Sequence, residues 1–124
     1  MPIGYLVVDH GSRRPRSNAQ LEDMTERVRR LRPDCPVSHA HMEVVGPDIA
    51  AGIAELVGRG VDEIVVLLYF LADGRHVQED VPRLVAEALA AHPGVTARLG
   101  AALGPDDGLA QLMLERAGEA PEPA

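Results

Sequence analysis

His10 and His76 each stand just past the end of a strand-like apolar run, in GYLVVDHGS and in EIVVLLYFLADGRH. Strand C-termini in a parallel α/β sheet open onto one edge, and ligands bind at that edge. Two imidazoles placed there can share a pocket, where they can hold a borderline divalent metal or move a proton near neutral pH. Between them, His39, His41 and Glu43 lie two residues apart and are expected on one face of a strand. Glu43 is then nearest the shared edge. Imidazoles would suit zinc, cobalt, nickel or iron, and a carboxylate would add charge compensation. His39 and His41 begin their strand, so a polar or structural role stands against ligation for both.

The elements that must position these groups read as an alternation of strand and helix. Residues 3 to 9 form a continuous apolar run, the pattern of a strand buried on both faces. After a loop of Arg, Pro and Ser, Leu21, Met24, Val28 and Leu31 recur at three- and four-residue steps, which predicts a helix from about Asn18 to Leu31. Pro33 and Pro36 end it. Residues 37 to 45 (VSHAHMEVV) form a second strand, and Pro47 opens a helix with Ile49, Ile53, Leu56 and Val57 on one face and Gly60 as its C-terminal cap. The third strand, Ile64 to Leu71, is the most apolar stretch and is expected at the sheet centre.

After His76, VQEDVPRLVAEALAAH reads as a helix in which Pro82 is tolerated only within the first turn, with His92 at its end. A short strand, VTARLGAAL, and a helix from about Asp107 to Ala117 complete the pattern. Four strand–helix units predict an α/β fold, a three-layer αβα sandwich on a four-stranded parallel sheet. Residues 1–118 are expected to form one domain and 119–124 a disordered tail. Met42 and the pair Tyr69 and Phe70 read as core, while Glu79 and Asp80 can either orient His76 or stabilise a helix start.

Composition narrows the function classes. At 124 residues with 46% hydrophobic and 25% charged content, the chain can build one real core but not two ordinary domains. A net charge of -7 argues against generic binding to nucleic acid or anionic membrane, and an aromatic share of 2% argues against base-stacking platforms. No apolar run approaches the roughly 18 residues of a membrane span. Cys35 is the only cysteine, so neither an intramolecular disulfide nor a thiolate cluster within one chain can form, which fits a reducing cytoplasm. All 12 basic residues are arginine, and Arg13, Arg14 and Arg16 crowd the segment after His10 while Arg75 precedes His76. They read either as solvated loops or as an anion-attracting rim on an acidic protein.

The segments VVDHGSRRPRSN, MEVVGPDIAAGI and YFLADGRHVQEDVP resemble, in order and spacing, the small CbiX-type sirohydrochlorin chelatases, relatives of SirB and of class II ferrochelatases. The resemblance runs from Ile3 to about Arg116. It implies a chelatase-like fold and ATP-independent insertion of a divalent metal into sirohydrochlorin, with His10, Glu43 and His76 as metal-handling and catalytic residues. Cobalt is the first expectation, with nickel and iron sharing the same ligand preferences, and no organic cofactor is expected. Asp9 replaces the glycine often found before the first histidine, and LADG replaces the more usual LAPG or LAAG. Asp9 could add a carboxylate to the pocket or tune His10.

The substrate implied is a polycarboxylate, for which Ser12, Arg13, Arg14 and Arg75 are the expected binding residues, with Arg16 alongside. A single domain gives a flat macrocycle only one wall, so the resemblance also implies a homodimer. Two other readings stay open. A metal carrier or regulator would use the same ligands without a tetrapyrrole pocket, and a histidine phosphatase shares a strand followed by His-Gly. The phosphatase pattern, however, places Arg where Asp9 stands.

Overall fold

A computed structural model describes residues 2–119. Strands β1 (Ile3–Asp9), β2 (Val37–His41), β3 (Glu63–Leu68) and β4 (Thr96–Leu99) form one sheet in the order β2-β1-β3-β4, with every pair parallel. The chain runs outward from β1 to β2, then crosses back to place β3 on the other side of β1. This reversal leaves a crevice beyond the carboxyl ends of β1 and β3, where an open α/β sheet binds ligands.

Helix α1 (Pro15–Leu31) links β1 to β2, α2 (Ile49–Gly58) links β2 to β3, and α3 (Val81–Leu89) links β3 to β4. Successive crossovers in opposite directions across a sheet fall on opposite faces. Side chains of β1 follow that division. Leu6 and Val8 pack with Ile53, Leu56, Val81 and Val85 of α2 and α3, while Val7 packs on the other face with Leu21 of α1 and Val37. Burial on both faces explains why β1 reads as an unbroken apolar run.

Several boundaries differ from those expected. Helix α1 begins at Pro15, not Asn18, because proline's fixed φ suits a first helical position. Leu31, expected on its apolar face, is 73% exposed at the last position. Strand β2 stops at His41, not residue 45, because its partner β1 ends at Asp9. Two further bonds, Met42 N–H to Asp9 O and Glu43 N–H to His10 O, tie the departing chain down. Glu43 therefore lies in the β2–α2 loop and not on the strand face of His39 and His41. Strand β3 stops at Leu68 and β4 at Leu99, both earlier than residues 71 and 103.

Helix α2 is capped by Asp48, whose carboxylate accepts from Ala51 N–H at 2.8 Å, with Pro47 just before the cap and Gly60 at φ +88 beyond the end. Ahead of α3, His76–Asp80 form a single π turn. Pro82 has no N–H to return to residue 78, so α geometry cannot be completed there, and Val81 N–H bonds His76 O instead. Helix α4 (Asp107–Ala117) is capped by Asp106 and buries none of its residues. Glu119, counted with the tail, accepts from the Arg116 guanidinium at 3.2 Å, and residues 120–124 lie outside the described range.

Candidate metal and substrate site

His10 follows β1, Glu43 follows β2, and His76 opens the π turn after the β3 loop. His10 Nε2 lies 3.3 Å from His76 Nε2 and 3.2 Å from Glu43 Oε1. The rings meet edge to face with centroids 4.5 Å apart. All three side chains are about half exposed, at 46%, 53% and 48% for His10, Glu43 and His76.

Hydrogen bonds at the far nitrogens fix which atoms remain for a ligand. His76 Nδ1 lies 2.8 Å from an Asp80 carboxylate oxygen, and His10 Nδ1 lies 3.3 Å from Gly11 O. Asp80 can only accept, so His76 Nδ1 donates and its Nε2 turns toward the bay with a lone pair, while His10 faces the Gly11 carbonyl with Nδ1 and faces Glu43 and His76 with Nε2. With Glu43 Oε1 this brings two imidazole nitrogens and a carboxylate oxygen together, an arrangement that a shared proton or a metal cation can hold. Ligand atoms about 3.3 Å apart are what bonds of about 2.0–2.1 Å to a tetrahedral ion produce. Two sides of this triangle are closed. No contact joins Glu43 to His76, and among the described residues no three His, Cys, Asp or Glu side chains are grouped so as to hold a metal ion as they stand. The donors form an open bay and not a cage.

The CbiX family model matches residues 4–120. The chain belongs to the CbiX family. It is 35% identical over 113 residues to the chloroplastic sirohydrochlorin ferrochelatase of Arabidopsis thaliana, covering 91% of this chain but 50% of that protein. It is 30% identical over 125 residues to the sirohydrochlorin cobaltochelatase of Methanococcoides burtonii, covering 94% of this chain and 95% of the relative. The crystal structure of a putative cobalamin biosynthesis CbiX protein from Marinobacter aquaeolei superimposes with a TM-score of 0.80 at 29% identity, covering 95% of this chain and 96% of that one. The chain thus spans half the length of the plant relative and nearly all of the other two.

The arginines of this CbiX family member fall into two sets. Arg27, Arg29, Arg59, Arg75, Arg83, Arg98 and Arg116 are in ion pairs. Arg13, Arg14, Arg16, Arg30 and Arg32 form none among the described residues, and the first three follow His10 in the chain. Arg75, expected to line the entrance with them, instead reaches Glu79 at 3.2 Å and is 82% exposed in a separate recess. The π turn that presents His76 places Glu79 four residues beyond Arg75. Glu79 thus serves Arg75, and Asp80 alone holds His76.

Asp9 neither joins the bay nor contacts His10. Successive strand residues face opposite ways, and Asp9 turns to the buried His41, its carboxylate 2.6 Å from Nδ1. Nothing in the sequence alone distinguished that pairing from the alternatives at Asp9. Ser12 is held by Asn18, whose Oδ1 accepts from Ser12 N–H at 3.0 Å and whose Nδ2 donates to Ser12 O at 2.7 Å. Arg83, not expected at the site, lies 3.8 Å from Asp80 and lines a small recess with Glu43. Its position one turn after Asp80 was the available signal. Met42 is buried as expected, Tyr69 and Phe70 are half-buried against the two cores, and His92 N–H bonds Leu89 O at the end of α3.

Proposed function

We propose that this protein inserts a divalent metal, cobalt first, into sirohydrochlorin without ATP, and that residues 1–118 are one chelatase domain. The observation that carries this reading is the meeting of two imidazole Nε2 atoms and a carboxylate in a half-exposed, incomplete bay. The names of the Arabidopsis and Methanococcoides relatives support the substrate and divide on the metal.

His10 and His76 hold the incoming ion through Nε2, and Glu43 completes the ligand set. Insertion removes two pyrrole protons as two ring nitrogens bond the metal. An open coordination shell lets ring nitrogens replace water and then the imidazoles, which a closed four-ligand cage would prevent. Glu43 takes one of the departing protons as it leaves the metal, the role of a general base within reach of the ring, and the second passes to solvent water at the half-exposed bay. Ser12, Arg13 and Arg14 meet the ring's carboxylates. The protein works in the cytoplasm, which suits its single free thiol, Cys35. Among the described residues no helix is long and apolar enough to cross a membrane.

The enzyme acts as a homodimer. A second copy supplies the mass that the twofold longer plant relative carries in one chain. Exposed Leu112, Met113 and Leu114 on α4, and an apolar groove of about 240 Å³ beside Met24, Val28 and Leu103, offer surface for it.

Absorption spectra of sirohydrochlorin incubated with protein and Co(II), Ni(II) or Fe(II) test the activity against the uncatalysed rate. Acceleration is expected with at least cobalt and should fall by about a hundredfold or more in His10→Ala and His76→Ala. No acceleration with any of the three metals would overturn the reading.

A further inference from the structure

A cleft of about 650 Å³ opens beside β2, with His39, His41, Arg13 and Glu22 among its lining residues. The parallel register sets His41 of β2 against Asp9 of β1, and His39 against Val7. Val7 and Val37 pack with Leu21 of α1, so strand alternation puts Asp9, His39 and His41 on that same face of the sheet. His41 is 2% exposed, and its Nδ1 lies 2.6 Å from Asp9 Oδ1. The carboxylate can only accept, so Nδ1 donates and Nε2 is left with a lone pair.

That lone pair has no hydrogen-bond partner among the described residues. Only Asp62 Oδ1 is a polar side-chain atom sealed away without a partner there, so His41 Nε2 reaches water, and the cleft is the opening that His41 lines. The His39 ring meets the His41 ring edge to face, with centroids 5.7 Å apart. Two imidazoles on one tetrahedral ion, at bond lengths of about 2.0–2.1 Å, have centroids roughly 5 Å apart. A small swing of the half-buried His39 makes up the difference.

A ring nitrogen that carries a lone pair and no proton attracts a cation and offers nothing to an anion. Its support by a carboxylate at the opposite nitrogen is the arrangement that orients a metal-ligating histidine. We propose that this cleft holds a second divalent ion of the kind that imidazole prefers, bound by His41 Nε2 and His39, with water in the remaining positions. Asp9 and Glu22 supply negative charge against the exposed Arg13. The site shares no ligand with the bay of His10, Glu43 and His76, yet lies close to it. A Cβ built at Gly11, next to His10, would be 3.3 Å from His41 Cβ. With two protein ligands against three, the second site fills after the bay.

Titration of untagged, metal-free protein with Co(II), followed by calorimetry and by the visible absorption of bound cobalt, tests the second site. The wild type should bind two ions per chain, and a double variant with the bay disabled, His10→Ala with His76→Ala, should bind one. In that background His39→Gln or Asp9→Asn should weaken the remaining ion about tenfold or more, by removing a ligand or the support of one. His39→Gln in the otherwise native chain should leave the first ion's affinity unchanged. Bound Co(II) is paramagnetic, and in the double variant it should broaden the imidazole NMR signals of His39 and His41 while that of His92, at the end of α3, stays sharp. Absence of cobalt binding in the double variant would overturn the second site, and so would binding that leaves the His39 and His41 signals sharp. His39 is half-buried, so its replacement spares the core, and melting temperatures near that of the wild type establish that the variants fold. The readout is metal binding alone, separate from the insertion assay that tests the chelatase reading.

Discussion

His76 presents its Nε2 lone pair because Asp80 accepts the proton of Nδ1 at 2.8 Å. A carboxylate behind a ligating imidazole fixes both the tautomer and the ring orientation and raises the ligand's basicity. His10 has a weaker support, a carbonyl at 3.3 Å, so the two imidazoles are unequal. Asp80→Asn keeps the size of the side chain but removes the charge, and its amide nitrogen can face Nδ1 without accepting. Cobalt affinity should fall about tenfold, read by titration calorimetry, with the fold unchanged by circular dichroism. Unaltered affinity would show that Asp80 serves only Arg83 and the helix start. His76 and Asp80 were both legible in the sequence, because their four-residue spacing is a helical one. The Asp9–His41 pair was not, since it depends on which face of β1 meets which face of β2.

The ends of β1 and β2 are joined by backbone contacts more than by side chains. Gly11 adopts φ +91, a conformation that side chains rarely tolerate, and passes directly against Glu43 O. Gly11→Ala therefore meets both a strained backbone and a steric overlap, and should cost about 2 kcal/mol or more of stability by thermal or urea unfolding. Because Glu43 must move to admit the methyl group, cobalt affinity should fall as well. A stable Gly11→Ala protein with native metal affinity would mean that the loop yields freely. The sequence marked Gly11 as a turn but could not show what crosses it. The strands, their parallel order and the helices between them follow from apolar periodicity. The ends of β2, β3 and β4 do not, because a strand stops where its neighbour stops bonding, and periodicity continues into the loop. Val44, with φ 77, marks that break in the β2–α2 loop, and its residue type gives no hint of it. The π turn at His76 is similar: Pro82 announces an irregularity, while its form depends on how the loop after β3 enters the helix.

Among the described residues, apolar surface lies in water on α4, at Leu112, Met113 and Leu114, and in the groove beside Met24 and Leu103. A dimer held by such surfaces dissociates on dilution, and a ring with only one wall loses its grip. Specific activity should fall on dilution from micromolar to nanomolar protein, alongside a shift from dimer to monomer in sedimentation. Undiminished activity in a sedimenting monomer would remove the dimer from the mechanism. His10, Glu43 and His76 also stand at equal intervals along the chain, one strand–helix unit apart. No contiguous fragment shorter than the span from His10 to His76 contains all three donors, and β1 meets β3 only after the whole of β2 and α2 has been laid down. Long-range parallel pairing of this kind forms late in folding. A chain emerging from the ribosome thus has only scattered ligands to offer the cell's metal pool, and acquires its affinity for the cargo together with the fold that can pass it on.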